Sequence, residues 1–147
     1  MFCLDERRFA LPLAAVERVL RAAAVTPLPG APPIVLGAIN IQSRVLPVLN
    51  IRRRFGMRDR EISPADWFLI AHAGRRAVVL VVDASEGLME RPQADIVEST
   101  GIVPGLEHFP GVLKLDDGMA LIHDLDRFLS LDEERALDEA LDGASGA

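Results

Sequence analysis

The chain has 147 residues, half of them apolar, which suffices for one compact domain with a substantial core but not for two independent domains. Acidic residues outnumber basic ones by 22 to 16, and the net charge of −6 argues against a nucleic-acid-binding protein, because neutralising phosphates supplies most of the affinity of such proteins. Cys3 is the one cysteine, which excludes an intrachain disulfide. We interpret it as a small buried hydrophobe in a protein of a reducing compartment.

The sequence also argues against targeting signals. No apolar run approaches the ~20 residues that span a bilayer. Residues 1–6 contain neither the basic nor the apolar region of a signal peptide. We therefore expect a cytoplasmic protein without direct membrane insertion.

The N-terminal part predicts short elements separated by turns. Residues 2–4 and 8–13 predict a β-hairpin around the charged turn Asp5-Glu6-Arg7. Residues 14–21 fit either a short helix or a helical turn that passes into a strand. The connection 26–33 contains four prolines and is predicted to lie on the surface, because proline cannot donate to a β-ladder.

Residues 37–42 and 45–51 predict a second hairpin, because two β-rich runs flank Ser43-Arg44. Pro47 falls within the second run. Since it cannot donate a ladder hydrogen bond, it is predicted at a sheet edge or at a bulge. Residues 52–55 are predicted to form one helical turn after this hairpin.

A polar loop at 57–66 separates these elements from two further predicted strands, 67–73 and 77–82. Residues 78–82 are apolar at every position. A strand of this kind is predicted to be covered on both faces, as when it is trapped between two sheets or two small barrels.

The C-terminal part predicts one more hairpin. Residues 88–96 are a candidate strand interrupted at Pro92. Residues 111–115 and 119–125 flank Asp116-Asp117-Gly118, and Asp-Gly between apolar runs favours a tight turn because Gly supplies positive φ. Short, evenly spaced strands of this kind indicate a β-barrel or a β-sandwich, and their pattern does not choose between the two.

A helix is predicted over residues 131–142. Ser130 is the expected N-cap, with Glu133 completing a capping box. Gly143 is expected to end the helix.

The histidines do not form a recognisable active site. His72, His108 and His123 lie beside apolar residues, and no two have the spacing of a metal site. His123 and Asp124 are neighbours on a predicted strand, so their side chains point to opposite faces. With no phosphate-binding or nucleophile motif present, we expect no enzyme activity, no catalytic residues, no metal and no cofactor.

The remaining charged clusters also have structural explanations. The acid pairs Asp5-Glu6 and Asp116-Asp117 fall in predicted turns, which favour Asp for backbone reasons. Arg52-Arg53-Arg54 is the one basic cluster. We interpret it as the solvated end of a helical turn, the alternative being a contact for an acidic partner surface.

Residues 35–51 resemble the signature of the CheW-like domain family. The shared features, at matching spacing, are Gly37, Asn40, the Pro47-Val48 pair and the flanking aliphatic residues. Further blocks match in the same order, namely residues 9–13, 16–19, 27–29, 81–83 and 119–122 with Leu125. The resemblance extends from about Phe2 to Leu141.

The resemblance implies an all-β fold in which two small five-stranded SH3-like β-barrels pack around a shared core, with a C-terminal α-helix. Residues 1–147 would form a single CheW-like domain of two intertwined barrel subdomains. It also implies a non-catalytic adaptor with two partners, the regulatory domain of a CheA-type histidine kinase and the cytoplasmic tip of a chemoreceptor, in arrays at the membrane periphery.

Binding residues are likewise implied by position in the family pattern. The loop 95–103, with Ile102 near its end, would lie toward a kinase contact. The receptor-binding groove would contain Val16, Arg18, Gly37, Asn40, Gln42 and Ser43.

Two departures from the family pattern concern this groove. Gln42-Ser43 stands where the family has Arg-Gly, so a charge-assisted bond to a partner carboxylate is lost and the turn lacks its glycine. Arg18 stands where many members carry Glu, which reverses a charge. These departures indicate a divergent member that serves a dedicated receptor or a non-chemotactic array such as a pilus system. A kinase-binding modulator that no longer engages receptors is the alternative.

Overall fold

A computed structural model describes residues 1–5, 7–74, 76–85, 96–98, 111–115, 118–122, 125 and 128–145. In these ranges the chain forms two β-sheets, a short 3₁₀ turn at Leu13–Ala15 and two helices. The predicted elements are recovered in order along most of the chain. For residues 14–21 the sequence fits either a short helix or a helical turn that passes into a strand, and the structure shows the second, since a helical turn leads directly into a strand.

The first sheet has six strands among the described residues. They are β1 (Phe2–Leu4), β2 (Arg7–Ala10), β8 (Ala84–Ser85), β9 (Ile96–Glu98), β10 (Gly111–Leu115) and β11 (Gly118–Ile122). Their order in the sheet is β8-β1-β2-β11-β10-β9. Neighbouring strands are antiparallel except β2 and β11, which run parallel.

The second sheet has five strands. They are β3 (Val16–Arg21), β4 (Val35–Ile41), β5 (Arg44–Leu49), β6 (Trp67–Ala73) and β7 (Arg76–Val82). Their order is β3-β6-β7-β5-β4, and β5 and β7 are parallel. The sheet curves back on itself, because Thr26, which follows β3, forms a bridge with Ala38 on the opposite edge strand, β4.

Strand β7 is covered on both faces, as its sequence predicted. Val78, Leu80 and Val82 belong to the larger core, which packs the second sheet against the first. Val79 points the other way, into a smaller core inside the curve of the second sheet. Its buried companions there are Ile39, Leu46, Val48, Phe68 and Ile70.

The implied fold class is confirmed, with two SH3-like sheets around a shared core and a C-terminal helix. Two details differ from the expectation. Within the described ranges the sheets have open strand orders instead of fully closed barrels, and the first sheet has six strands instead of five.

The prediction for Pro47 is wrong, since β5 lies between β7 and β4 and the proline is at neither an edge nor a bulge. Its position is tolerated for a local reason. Pro47 faces Ala38, whose N–H and C=O both bond to Thr26, so the Ala38–Pro47 pair exchanges no hydrogen bonds. On the other side, the pairing of β5 with β7 begins only at Val48. The missing proline N–H therefore removes no ladder bond.

Helix α2 spans Leu131–Ser145 and begins with the predicted capping box. The Ser130 N–H donates to Glu133 Oε1 (2.9 Å), and the Glu133 N–H donates to Ser130 Oγ (3.1 Å). The helix extends past Gly143, where it was predicted to end. Glycine ends a helix only where the backbone turns left-handed, and the Ala and Ser that follow can continue it.

Arg52 is the centre of an ionic network that links the two sheets. It lies on the short helix α1 (Ile51–Arg54) and is only 7% exposed. Its Nη1 donates to Asp5 Oδ2 (3.0 Å), and its Nη2 lies 2.7 Å from both carboxylate oxygens of Asp83. Arg60 also donates to Asp83, and its two Nη atoms donate to the buried Asp66 at 2.9 and 2.5 Å.

The other two arginines of the triplet contact different parts of the chain. Arg53 is exposed and donates to the Pro33 carbonyl oxygen (3.1 Å). Arg54 Nη2 lies 2.6 Å from both carboxylate oxygens of Glu133, and its guanidinium lies over the Phe128 ring at 5.4 Å. The interpretation of the triplet as a solvated helix end is therefore wrong, because two of its three side chains connect separate elements of the fold.

We expect Arg52→Met to lower the free energy of unfolding by about 2–4 kcal/mol, because Asp83 then keeps its charge in a partly buried position with one cation fewer. Arg60 remains as a partner, which limits the loss. Urea denaturation measures the difference. Arg53→Met, at the exposed neighbouring position, is the matched control and should cost less than about 1 kcal/mol. Equal losses in both variants would contradict a special role for Arg52.

Asp83 predicts a pH dependence of stability. Burial raises the pKa of Asp83, but hydrogen bonds from Arg52, the Asp5 N–H and Arg60 together lower it by more than burial raises it. The pKa of Asp83 therefore lies below its ordinary value of 3.8. A carboxylate with a lowered pKa in the folded state stabilises the fold above the pKa of the unfolded chain. That contribution is lost as the pH falls below about 4 and through the pKa of the folded state.

The stability difference between the unaltered protein and Asp83→Asn should therefore be largest near neutral pH and shrink steadily below about pH 4. Chemical denaturation at a series of pH values measures it. Asp142→Asn, on the exposed face of α2 without an ion-pair partner among the described residues, serves as the control. A difference for Asp83→Asn that stays constant with pH would contradict the assignment.

Candidate functional site

Four of the predicted receptor-groove residues lie around one place, where the start of β3 meets the turn between β4 and β5. An ion pair between Arg44 Nη1 and Glu17 Oε2 (2.9 Å) joins these two elements. The four residues are Val16, Arg18, Gln42 and Ser43. We call the surface formed by residues 16–19 and 42–45 the turn surface.

A β-bulge shapes the β3 side of the turn surface. Val16 lies opposite Ala71, and Arg18 lies opposite the next residue of β6, Ile70, so Glu17 is an extra residue between them. A bulge of this kind re-aims the side chains around it. Glu17 accordingly reaches Arg44 at the start of β5, and Arg18 is left exposed.

The carboxylate of Glu17 is shared by two neighbours. Oε2 pairs with Arg44, and Oε1 lies 3.4 Å from His72 Nε2. All three side chains are about one-third to one-half exposed, so solvent screens these contacts and each adds little to stability. Their effect is positional, since they hold the edge strand β3 beside the β4–β5 turn.

The turn itself is one residue earlier than predicted. Gln42 and Ser43 occupy its two central positions with φ of 50° and 67°, and Arg44 already belongs to β5 opposite Ile41. Two consecutive left-handed residues form the hairpin turn that favours Asn-Gly. A Ser at the second position, where the family pattern has Gly, therefore carries backbone strain.

The two predicted groove residues on β4 differ from one another. Asn40 is exposed and pairs with the exposed Val45, close to the turn. Gly37 is buried, and a Cβ there would lie 2.4 Å from the Thr26 carbonyl oxygen. Packing against Thr26 thus requires a glycine at this position, and the structure does not bring Gly37 to the turn surface.

Several predicted residues lie outside the described ranges. Among them are the kinase-contact residue Ile102 and most of its loop, His108, His123 and the Asp116-Asp117 pair. In the part of the chain that the structure describes, no group of three or more His, Cys, Asp or Glu side chains is arranged to hold a metal ion.

Sequence analysis missed both ionic partners on the turn surface. Glu17 and Arg44 are sequence neighbours of predicted site residues, and their opposite charges are the available signal. They are 27 residues apart, and two strands, β6 and β7, lie between β3 and β5 in the sheet, so only the curvature of the sheet brings them together.

A groove of about 840 Å³ is a second candidate binding surface that the sequence did not indicate. It lies between residues 22–25, which follow β3, and residues 59–64, in the loop before β6. Leu36, Ile62 and Pro64 contribute apolar surface, and charged side chains border it. An apolar floor with a polar rim is typical of surfaces that bind other proteins.

Among the described residues, no helix is both long enough and apolar enough to cross a bilayer.

Comparison with known proteins gives a consistent result. Residues 1–133 match the family model described as the CheW-like domain. The chain is 29% identical to the chemotaxis protein CheW of Rhizobium meliloti over 137 residues, which covers 92% of this chain and 88% of that protein. It is 30% identical to the protein FrzA of Myxococcus xanthus over 123 residues, covering 83% and 77% of the two chains.

Comparison of the fold with a solved structure agrees with the sequence comparisons. The crystal structure of the scaffolding protein TtCheW from Thermoanaerobacter tengcongensis superposes with a TM-score of 0.81 and 25% sequence identity, and the match covers 90% of this chain and 91% of that one. A family match over nearly the whole chain and a shared two-sheet architecture lead to one conclusion: this chain belongs to the CheW-like domain family.

Proposed function

We propose that this protein is a non-catalytic signalling adaptor that couples the cytoplasmic tip of a chemoreceptor to the regulatory domain of a CheA-type histidine kinase. In this role it acts in the cytoplasm, at the periphery of receptor arrays. The observation that carries the proposal is the match to the CheW-like domain over residues 1–133, together with the fold shared with a scaffolding protein.

The arrangement of surfaces supports a bridging role. A protein that joins two partners needs two surfaces that do not overlap. The turn surface lies at one end of the β4–β5 hairpin, and the groove reaches Leu36 and Asn50 at the other end. At roughly 3.3 Å per residue, Leu36 and Gln42 are about 20 Å apart along β4. One partner can therefore occupy the turn surface while another contacts the opposite end.

Reconstitution tests this function. With a receptor tip fragment and the kinase from the same organism, the protein should bind each partner saturably and increase receptor-dependent autophosphorylation of the kinase. Autophosphorylation is measured with labelled ATP, and binding by calorimetry. Omitting the receptor fragment, or the adaptor, provides the matched controls. Failure of the protein to bind either partner would contradict the proposal.

The turn residues favour a second candidate, a modulator that binds the kinase without engaging receptors. Gln42 cannot form the charge-assisted bond that an Arg would make with a partner carboxylate, and Ser43 strains the turn. Both changes weaken the surface that the family resemblance assigns to the receptor.

Restoring the family residues distinguishes the two candidates. We expect Ser43→Gly to raise the free energy of unfolding by about 0.5–1 kcal/mol, because Gly adopts positive φ without the steric cost that Ser incurs. If the protein is a receptor coupler with a reshaped partner, Gln42→Arg combined with Ser43→Gly leaves receptor affinity unchanged or lowers it. A clear gain in affinity would favour the modulator. Thermal denaturation measures the first effect and calorimetry the second.

A further inference from the structure

We propose that Arg18 selects the partner at the turn surface by pairing with a carboxylate, so that the receptor tip bound there presents an acidic side chain at this point. The inference rests on the proposed function and adds the chemistry of the partner to it. Two features of the turn surface lead to it, namely an available guanidinium and an excess of positive charge.

Arg18 is available for a partner. Its side chain is exposed and makes no hydrogen bond or ion pair with any residue that the structure describes. Its neighbour Glu17 does not neutralise it, because the Glu17 carboxylate is held by Arg44 at 2.9 Å and lies 3.4 Å from His72. The guanidinium of Arg18 therefore keeps its hydrogen-bonding capacity.

The local charge is opposite in sign to that of the whole chain. The net charge of the protein is −6, yet the turn surface carries two guanidinium groups, those of Arg18 and Arg44, and a single carboxylate, that of Glu17. A positive site on an acidic protein attracts a negative group and disfavours a positive one. Guanidinium groups bind carboxylates with two parallel hydrogen bonds, which adds geometric selectivity.

The exposed side chains of Val19 and Val45 each follow an arginine on a strand and therefore point to the opposite face of the sheet. Charge is thus what distinguishes the turn surface from the groove. The groove at the other end of the β4–β5 hairpin has no comparable preference for an acidic partner, because its one arginine, Arg60, already binds Asp66 and Asp83.

A charge-reversal experiment tests the inference. Calorimetry measures binding of the receptor tip fragment to the unaltered protein and to Arg18→Glu, Arg18→Gln and Arg135→Glu. Arg135→Glu is the matched control, because it changes the charge by the same amount as Arg18→Glu. Arg135 is exposed on α2, lies beyond the family match and also lacks a described partner. We expect about a tenfold loss or more for Arg18→Glu, a smaller loss for Arg18→Gln, and less than about a twofold change for Arg135→Glu.

A reciprocal change adds a stricter requirement. Each acidic residue at the end of the receptor hairpin is replaced in turn by Lys, and one of these fragments should bind Arg18→Glu better than it binds the unaltered protein. Thermal denaturation of each variant verifies that it is folded, as the exposure of Arg18 leads us to expect. If no fragment shows this reversal, the pairing with a carboxylate is overturned.

The outcomes separate the inference from the proposed function. If the unaltered protein binds the fragment and Arg18→Glu binds equally well, or loses no more affinity than Arg135→Glu, the inference is overturned and the adaptor role remains. If the unaltered protein does not bind the fragment at all, both are overturned.

Discussion

The requirement to cover β7 on both faces determines the architecture. Its residues alternate between two cores, so that Val78, Leu80 and Val82 face the first sheet and Val79 faces the inside of the second. Burying a side chain of this size contributes roughly 1.5–3 kcal/mol, and exposing either face would lose several such contributions at once. A single flat sheet cannot provide both covers. The second sheet therefore curves around one face of β7 while the first sheet packs on the other.

Where β7 ends, the chain passes from one sheet to the other, and charged groups take over from the apolar core. Asp83 follows β7 and precedes β8 of the first sheet, and its N–H donates to the Cys3 carbonyl of β1 (2.9 Å). Its carboxylate accepts from Arg52 and Arg60, which come from α1 and from the loop before β6. The core brings the sheets together, and this network fixes their relative position at the crossing.

Local sequence signals were sufficient for most of the fold. The doubly buried β7, the hairpins and the capping box of Ser130 and Glu133 each depend on residues close together in the chain. The failures share a cause, which is dependence on distant partners. Arg52 was expected to be solvated because its partners Asp5 and Asp83 lie 47 and 31 residues away. Pro47 was expected at an edge because a sequence does not show which side of a strand is left unpaired.

The candidate site was predictable to a similar extent. The family resemblance singled out Arg18, Gln42 and Ser43, and the structure brings all three to the turn surface. It could not reveal that Glu17 binds Arg44, because that contact depends on the curvature of the sheet. Nor could it separate Gly37 from the other positions, since the reason for a glycine there is the approach of the Thr26 backbone.

Glu133 has two roles at once, and this links the C-terminal helix to the rest of the molecule. The same carboxylate that accepts the Ser130 N–H to begin α2 also binds Arg54 of α1, and the family match ends at this residue. The start of the helix is thereby fixed both by its own capping box and by the body of the domain. Beyond its first turn, Leu137 and Ala140 are buried and Asp138 pairs with Arg76. Deleting the helix would therefore expose apolar surface and leave Arg54 without its carboxylate partner.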